Sequence, residues 1–298
     1  MIKNYLIYLC YTNDDFLSEV LFSLLSFYKH NQNSNIQVVI YTDNITFFKK
    51  MLPNTICYNE INESKIEFWK GSIKFNHRTK IKVLQDASAK YKGNLMYVDS
   101  DTFFKKNCDE LFQKIENNEI LFDNYEGKLN ETKGGIAKKL RSFLNNQNSF
   151  STVSDPEKIY FPDDFEIWNA GIIGFKAEHG NQLQLVLELV DELYAKFPIF
   201  VMEQLAFNYY FQKISKPCVT QDFIDHYWYF KEFRLVLNDF FSFHKGKSLD
   251  ELISKIESIN PKKLAQEKIA YKKKSFIEKQ IHKLVFFRKW KIIPYTLH

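Results

Sequence analysis

Two carboxylates leave the chain where an apolar run ends. Asn94-Leu95-Met96-Tyr97-Val98 reads as a buried strand, and Asp99-Ser100-Asp101 follows it directly, ahead of Thr102-Phe103-Phe104. Side chains alternate faces along extended backbone, so Asp99 and Asp101 point the same way and Ser100 the other. Two hard oxygen ligands on one side can hold a divalent cation, Mg²⁺ or Mn²⁺, with positions left open for phosphate. In open α/β sheets ligands bind beyond the carboxyl ends of the strands, which is where this pair falls. An acidic turn in solvent has the same local sequence, so the surrounding elements have to decide.

Those elements alternate. Strands are expected over residues 5–10, 36–41 and 55–58, with helices over 15–30 and 45–51 between them. A helix over 79–91, closed by Gly93, leads into the Asp-Ser-Asp strand. This alternation indicates a parallel sheet with crossover helices, a nucleotide-binding half-domain. Downstream come a strand over 119–123 and a polar, irregular stretch over 127–164 around a helix at 136–145. Loops of that length commonly act as lids or binding surfaces. A strand over 167–175 and helices over 182–197 and 201–212 follow. From residue 249 helical, Lys-rich sequence replaces the mixed pattern, so one α/β domain over 1–248 and a helical, basic appendage over 249–298 are expected.

The 298 residues are 45% hydrophobic, ample for a buried core. Cys10, Cys57, Cys108 and Cys218 are far apart and form no CxxC or His-spaced zinc pattern, which suits scattered thiols in a reducing cytosol. The apolar run 5–11 follows Lys3 but meets Asp14 and Asp15 with no small-residue cleavage site, so it reads as a first core strand rather than a signal peptide. No segment approaches the ~18 uninterrupted apolar residues of a membrane span. A cytoplasmic protein is expected.

Charge is unevenly distributed. Residues 271–298 hold seven Lys and one Arg against the single Glu278, a net of +7, which leaves −2 of the total +5 for residues 1–270. The first 270 residues thus lack the basic surface that nucleic-acid binding requires. In the tail, Lys272, Lys273, Lys274, Lys279, Lys283, Arg288, Lys289 and Lys291 are interleaved with Phe276, Ile277, Ile281, Leu284, Val285, Phe286, Phe287, Trp290, Ile292 and Ile293. A basic helix of this kind can lie peripherally on an anionic membrane surface. It can equally dock on the domain with a solvated basic face.

Several motifs occur in a telling order. The strand ending in Asp99-Ser100-Asp101-Thr102 resembles the DxD motif of nucleotide-sugar glycosyltransferases of the GT-A fold, particularly the family 8-like enzymes. Phe75-Asn76-His77-Arg78-Thr79-Lys80 is similar to the opening of that family's preceding helix. Trp168-Asn169-Ala170-Gly171-Ile172-Ile173-Gly174-Phe175 resembles its Asn-Ala-Gly strand, and Met202-Glu203-Gln204 its acidic-Gln helix start. Phe243-His244-Lys245-Gly246-Lys247 resembles its late His-x-x-Gly-x-x-Lys element, although the spacing is shorter and Ser248 stands where a Pro-Trp pair often follows. The likeness spans residues 1–250. It implies a Rossmann-like α/β/α sandwich that transfers a sugar from a nucleotide-diphosphate donor, a UDP-sugar, to a saccharide or glycolipid hydroxyl, as in polysaccharide or lipopolysaccharide synthesis.

The resemblance also implies roles. Asp99, Asp101 and His244 would ligate the metal, and a nitrogen ligand favours Mn²⁺ over Mg²⁺. Tyr11, Thr12 and Asp43, at the first two strand ends, would hold the nucleoside; otherwise Tyr11 is a core aromatic and Asp43 a cap. Arg78, chosen over Lys80 and Lys82, would bind the diphosphate with Ser100, Gly246 and Lys247; otherwise these cations form a solvated face. Asn169 would approach the donor. Glu203 or Gln204 would face the anomeric carbon in a retaining transfer, while Asp163, Asp164 or Glu203 would serve as base in an inverting one; Asp163, Asp164 and Glu166 are also rival carboxylates for the acceptor hydroxyl. His226-Tyr227-Trp228-Tyr229-Phe230-Lys231 reads as core, aromatic faces that stack on sugars being the alternative. A sugar-phosphate nucleotidyltransferase needs a Gly-rich loop after the first strand, and residues 10–16 contain no Gly. A non-catalytic saccharide-binding or membrane-surface protein of the same fold is the remaining alternative.

Overall fold

The computed structural model of the chain describes residues 2–147, 149–286, 289–290 and 295. Strand β1 (Lys3–Cys10) is apolar on both faces because it lies inside the sheet. Helix α1 (Asp14–His30) starts at Asn13, whose side chain accepts from the Asp15 N–H, and it carries acids in its first turn and bases in its last. β2 (Ile36–Thr42), α2 (Ile45–Lys49), β3 (Cys57–Glu60) and α3 (Glu63–Lys70) extend the sheet in one direction. α4 (Arg78–Lys90) then returns to the other side of β1 and delivers β4 (Gly93–Val98).

A second half follows: β5 (Thr102–Phe104), α5 (Asp109–Glu116), β6 (Leu121–Phe122), β7 (Tyr125–Lys128), α6 (Gly135–Asn146), β8 (Glu166–Trp168), β9 (Ile172–Lys176), α7 (Gln182–Lys196), α8 (Met202–Phe211), β10 (Cys218–Val219) and β11 (Ile224–His226). The main sheet runs β10-β6-β9-β4-β1-β2-β3, and only β9 opposes the others. The order reverses between β1 and β4, and a crevice opens where neighbouring connections leave for opposite sides. Alternate residues fill two layers. Tyr5, Ile7, Leu95 and Tyr97 face the side of α4, α7 and α8, while Leu6, Tyr8, Met96 and Val98 face α1 and α5.

The strand expected over 167–175 is two strands. β8 pairs with β7 in a small sheet and β9 joins the main one. Between them Asn169-Ala170-Gly171 breaks the ladder, and the Asn169 side chain accepts from the Gly171 N–H (2.9 Å). A second small sheet, β5 with β11, has no periodic signal because each strand is three residues long.

Composition changes at residue 248, but packing does not. α9 (Phe233–Phe243), α10 (Leu249–Lys255) and a short 3₁₀ segment, Ile256–Ile259, lie on the outer face of α1. Leu252, Ile253, Ile256 and Ile259 share one apolar cluster with Phe22 and Leu25 of α1 and with Val236 and Phe240 of α9. α10 starts at a reciprocal cap between Ser248 and Glu251. α11 (Pro261–Leu264), α12 (Gln266–Lys273) and α13 (Phe276–Phe286) complete the described chain. Phe287, Arg288, Lys291, Ile292 and Ile293 lie outside the described residues.

Because Ile256 is fully buried against α1, Ile256→Ala should lower the unfolding free energy of the whole chain by about 2–5 kcal/mol in a single urea transition. An unchanged midpoint for that transition would show the C-terminal helices to be energetically separate from the sheet.

Candidate metal and donor site

The turn after β4 is held from three directions. The Asp99 N–H donates to the Gly171 carbonyl (2.8 Å), and the Thr102 hydroxyl donates to the Asp99 carbonyl (3.0 Å). β11 then pairs antiparallel with β5, setting His226 opposite Thr102, and the Tyr227 N–H reaches the Asp101 carbonyl at 2.9 Å. This pairing brings the imidazole Nε2 to 3.3 Å from an Asp101 oxygen and 3.9 Å from an Asp99 oxygen. One oxygen from each Asp and one ring nitrogen lie within 4.8 Å of one another, a spacing a single cation can bridge.

Asp123, just past β6, accepts at the far nitrogen of the same ring (Nδ1, 2.8 Å). A carboxylate behind an imidazole fixes the ring's orientation and directs its other nitrogen forward, the arrangement behind most metal-binding histidines. The ring also explains Gly171. A Cβ there would lie 2.1 Å from His226 Cε1, so only glycine lets the imidazole sit against this backbone.

Charge compensation surrounds the cluster. Lys231 donates to Asp101 (2.6 Å), while Lys80 reaches Asp99 (3.3 Å), Glu203 (3.0 Å) and the Ala170 carbonyl (2.9 Å). Tyr97 donates to Asp99 (3.0 Å). Ser100, on the other side of the turn, donates to buried Glu19 (2.8 Å), which also accepts from Arg234 (2.8 Å). Burial opposes charge on the His226 ring, but Asp101 and then Asp123 outweigh it and push the imidazole up to about 10. Burial likewise works against the Asp101 carboxylate, yet His226 and Lys231 hold its pKa well below the ordinary range. Burial disfavours the Lys80 ammonium too, and Asp99 and Glu203 keep its pKa above the usual value.

Two cavities meet at this cluster. One, of about 430 Å³, lies over the β1–β4 crevice and is lined by Tyr11, Thr12, Ser100 and Thr79. The other, of about 460 Å³, is lined by Asn169, Gly171, Glu203, Gln204, Phe200 and Trp228. Asp99, Asp101, Lys80 and Lys231 belong to both.

The structure therefore brings Tyr11, Thr12, Asp99, Ser100, Asp101, Asn169, Glu203 and Gln204 to connected cavities. Asp43 stands behind Thr12, accepting its N–H at 2.8 Å. Other candidates lie elsewhere. His244 caps the end of α9 and bonds its ring to the Tyr295 hydroxyl (2.7 Å), so the histidine of the Asp99–Asp101 cluster is His226 instead. Lys247 pairs with Glu251 on the exposed face of α10, and Gly246 makes the left-handed turn between α9 and α10 (φ 84°), away from both cavities. Arg78 forks onto Asp191 of α7 and donates to the Trp69 carbonyl. The helical period explains the exchange: Arg78 and Lys82 share one face of α4 and Lys80 takes another. Asp164 is exposed and lines neither cavity.

His226, Asp123, Lys231 and Lys80 are the residues the sequence reading did not place. Asp123 had a legible signal, since Leu121-Phe122-Asp123 repeats the apolar-then-acid strand ending of Tyr97-Val98-Asp99. His226 and Lys231 stood inside a segment read as aromatic core.

No protein-family model and no curated protein matches the chain. Among solved structures it is similar to the galactosyltransferase LgtC in complex with donor and acceptor sugar analogs, at 11% identity and a TM-score of 0.49 over 72% of this chain and 73% of that one. It is also similar to mouse xyloside xylosyltransferase 1, at 13% identity and a TM-score of 0.45 over 74% and 85% of the two chains. A third similarity is to the glycosyltransferase GlyE of Streptococcus pneumoniae TIGR4, at 10% identity and 0.43, over 73% of this chain and 45% of that one.

If His226 rather than His244 ligates, calorimetric titration with Mn²⁺ should separate them. Asp123→Asn should weaken binding by about 10–100-fold through loss of ring orientation, and His226→Ala by at least as much. His244→Ala should bind as the unaltered chain does; equal losses in the two histidine variants would overturn the assignment.

Proposed function

We propose that the protein is a metal-dependent glycosyltransferase of the GT-A type, moving a sugar from a UDP-sugar donor to a saccharide or glycolipid hydroxyl in cell-surface polysaccharide or lipopolysaccharide synthesis. The observation that carries this reading is the convergence of Asp99, Asp101 and His226 at the junction of two cavities, beside the switch point of the sheet. The donor set suits Mn²⁺: two carboxylates and an imidazole whose second nitrogen is anchored by Asp123. A divalent ion held there supplies Lewis acidity to the departing diphosphate.

The chain's own groups do the rest. The nucleoside occupies the cavity between Tyr11, Thr12 and Ser100, and its diphosphate passes the Asp99–Asp101 turn. Lys231, half exposed beside Asp101, takes the phosphate-neutralising role expected of Lys247, and Lys80 holds Asp99 and Glu203 in place. Charge that develops on the leaving phosphate meets ammonium groups already fixed by carboxylates, so little reorganisation accompanies departure. Glu203 and Gln204 face the transferred sugar from the start of α8. Transfer with retention is the course the family 8-like motifs imply, and on it Gln204, held by Glu126 (2.9 Å), lies beside the transferred sugar.

The appendage gives this enzyme a surface for its acceptor. α13 exposes Phe276, Ile277, Ile281, Leu284, Val285 and Phe286, while half-buried His282 meets Tyr271 of α12 (5.2 Å). The helix thus has a docked side and a separate apolar side, with Lys279 and Lys283 beside it. No helix among the described residues is long and apolar enough to cross a membrane. An anionic lipid surface covers such a face, each Lys adding about 1 kcal/mol.

Incubated with UDP-sugars and Mn²⁺, the protein should release UDP and yield product of retained anomeric configuration by NMR. Turnover that persists in excess EDTA would overturn the metal-dependent reading. In vesicle sedimentation the full chain should pellet with anionic lipid in a salt-sensitive manner, and a chain ending at Ala270 should not. Equal pelleting of the two would leave α13 with no membrane role.

A further inference from the structure

Phe200 and Trp228 are unusual among the rings of this chain. Most large aromatics pack into buried clusters, yet these two stand 56% and 50% exposed on the lining of a single cavity, the one that also holds Asp99, Asp101 and His226. Scattered exposed apolar residues need no explanation, but two exposed rings lining one concave cavity beside charged groups mark a surface that a ligand covers. Neither ring is on a long free loop. Trp228 lies between His226 and Lys231, both fixed on Asp101, and Phe200 immediately precedes α8, two residues before Met202.

The same cavity is lined by an acceptor of hydrogen bonds. Glu126 is exposed, and its two oxygens take the Asn169 amide (2.8 Å) and the Gln204 amide (2.9 Å). An ionised carboxylate has roughly four lone-pair sites, so each oxygen keeps capacity for a hydroxyl. Two amides also hold the carboxylate in one orientation, which reduces the freedom lost when a ligand binds. Apolar ring surface next to a fixed hydroxyl acceptor is the chemical complement of a pyranose, which has a C–H face and a rim of hydroxyl donors.

Resting on the glycosyltransferase reading, we infer that this lining is the saccharide acceptor subsite, with the acceptor ring stacked on Trp228, Phe200 closing the mouth, and ring hydroxyls donating to Glu126. The assignment gives residues 226–231 three linked tasks. His226 serves the ion, Trp228 the acceptor and Lys231 the leaving group, so one short segment sets the distance between the two substrates.

The test is calorimetric titration of the full chain, with Mn²⁺ and UDP present, using methyl glucoside, methyl galactoside and methyl N-acetylglucosaminide as probes. At least one glycoside should bind. Trp228→Ala should weaken that binding at least about tenfold, the change expected from 1.4 kcal/mol, and Trp228→Phe should restore most of it. Glu126→Ala should weaken it as well. Binding unchanged in Trp228→Ala, or no glycoside bound by the unaltered chain, overturns the subsite. UDP release from UDP-sugars, assayed separately on the unaltered protein, distinguishes the two levels of the argument. Release without glycoside binding removes the subsite alone, whereas Trp228-dependent glycoside binding without release from any nucleotide sugar removes the enzyme reading and leaves a saccharide-binding cavity.

Discussion

Five carboxylates crowd the turn at residues 99–101, and their mutual repulsion in a site of low dielectric is the constraint that organises the molecule. Asp99 and Asp101 sit on the turn, Asp123 lies behind His226, Glu203 behind Lys80, and Glu19 behind Ser100. A buried charge without a partner costs several kcal/mol. Each carboxylate is therefore met by a positive or hydrogen-bonding group from a different stretch of chain: Lys80 from α4, His226 from β11, Lys231 from the segment after it, Arg234 from α9. Folding cannot complete the turn without bringing these elements together. Stability and the capacity to hold a cation are in this sense one arrangement, and the imidazolium of His226 carries part of the positive charge that a bound cation would supply. Proton and metal ion compete for the same ring nitrogen.

What could be read in the sequence was whatever local pattern determines. The alternation of strands and helices, the apolar run ending in two acids, and the opposite facing of Ser100 all follow from period-two and period-3.6 rules, and Ser100 turns to Glu19 while Asp99 and Asp101 turn to His226. His226 was hidden for a physical reason. Its position depends on the pairing of β5 with β11, two three-residue strands more than a hundred residues apart, too short for periodicity and too distant for any local rule. A Gly-Lys pair near His244 offered a more recognisable pattern, but α9 carries His244 to Tyr295. Lys80 was missed because three basic residues at i, i+2 and i+4 have equal standing until the burial of each helical face is known. The change at residue 248 illustrates the same limit, since composition altered there while the apolar cluster of Phe22, Leu25, Leu252 and Ile256 ran straight through.

That cluster ties the C-terminal helices to the site. α1 packs Phe22 and Leu25 into the cluster shared with α9 and α10, and neighbouring positions supply Ser23, Ser26 and Glu19 to the β4–β5 region. Ser23 bonds both Tyr8 (2.9 Å) and Thr102 (2.7 Å), Ser26 accepts from the Phe104 N–H (2.9 Å), and Glu19 takes Ser100. One helix thus contacts both the C-terminal helices and the 99–104 segment, and Phe22 itself stacks on Phe103 (5.4 Å). Arg234, at the second residue of α9, closes the circuit by pairing with Glu19.

The turn after β1 leaves side chains, rather than backbone, to meet an anion in the adjoining cavity. Phosphate-gripping loops use glycine so that several N–H groups can converge on the anion. This turn has no glycine. Thr12 instead adopts a left-handed backbone (φ 60°), an uncommon conformation for a non-glycine residue, and its N–H is already committed to Asp43. An anion in the neighbouring cavity finds that amide occupied and a carboxylate behind it. The positive groups that line the cavity are side chains, Lys70, Lys80 and Lys231, and a cation on Asp99, Asp101 and His226 would add to them. On the glycosyltransferase reading proposed above, the strain at Thr12 and the concentration of charge around residues 99–101 divide the work: β1 would shape the pocket for the uncharged part of a donor and the end of β4 would meet its charge.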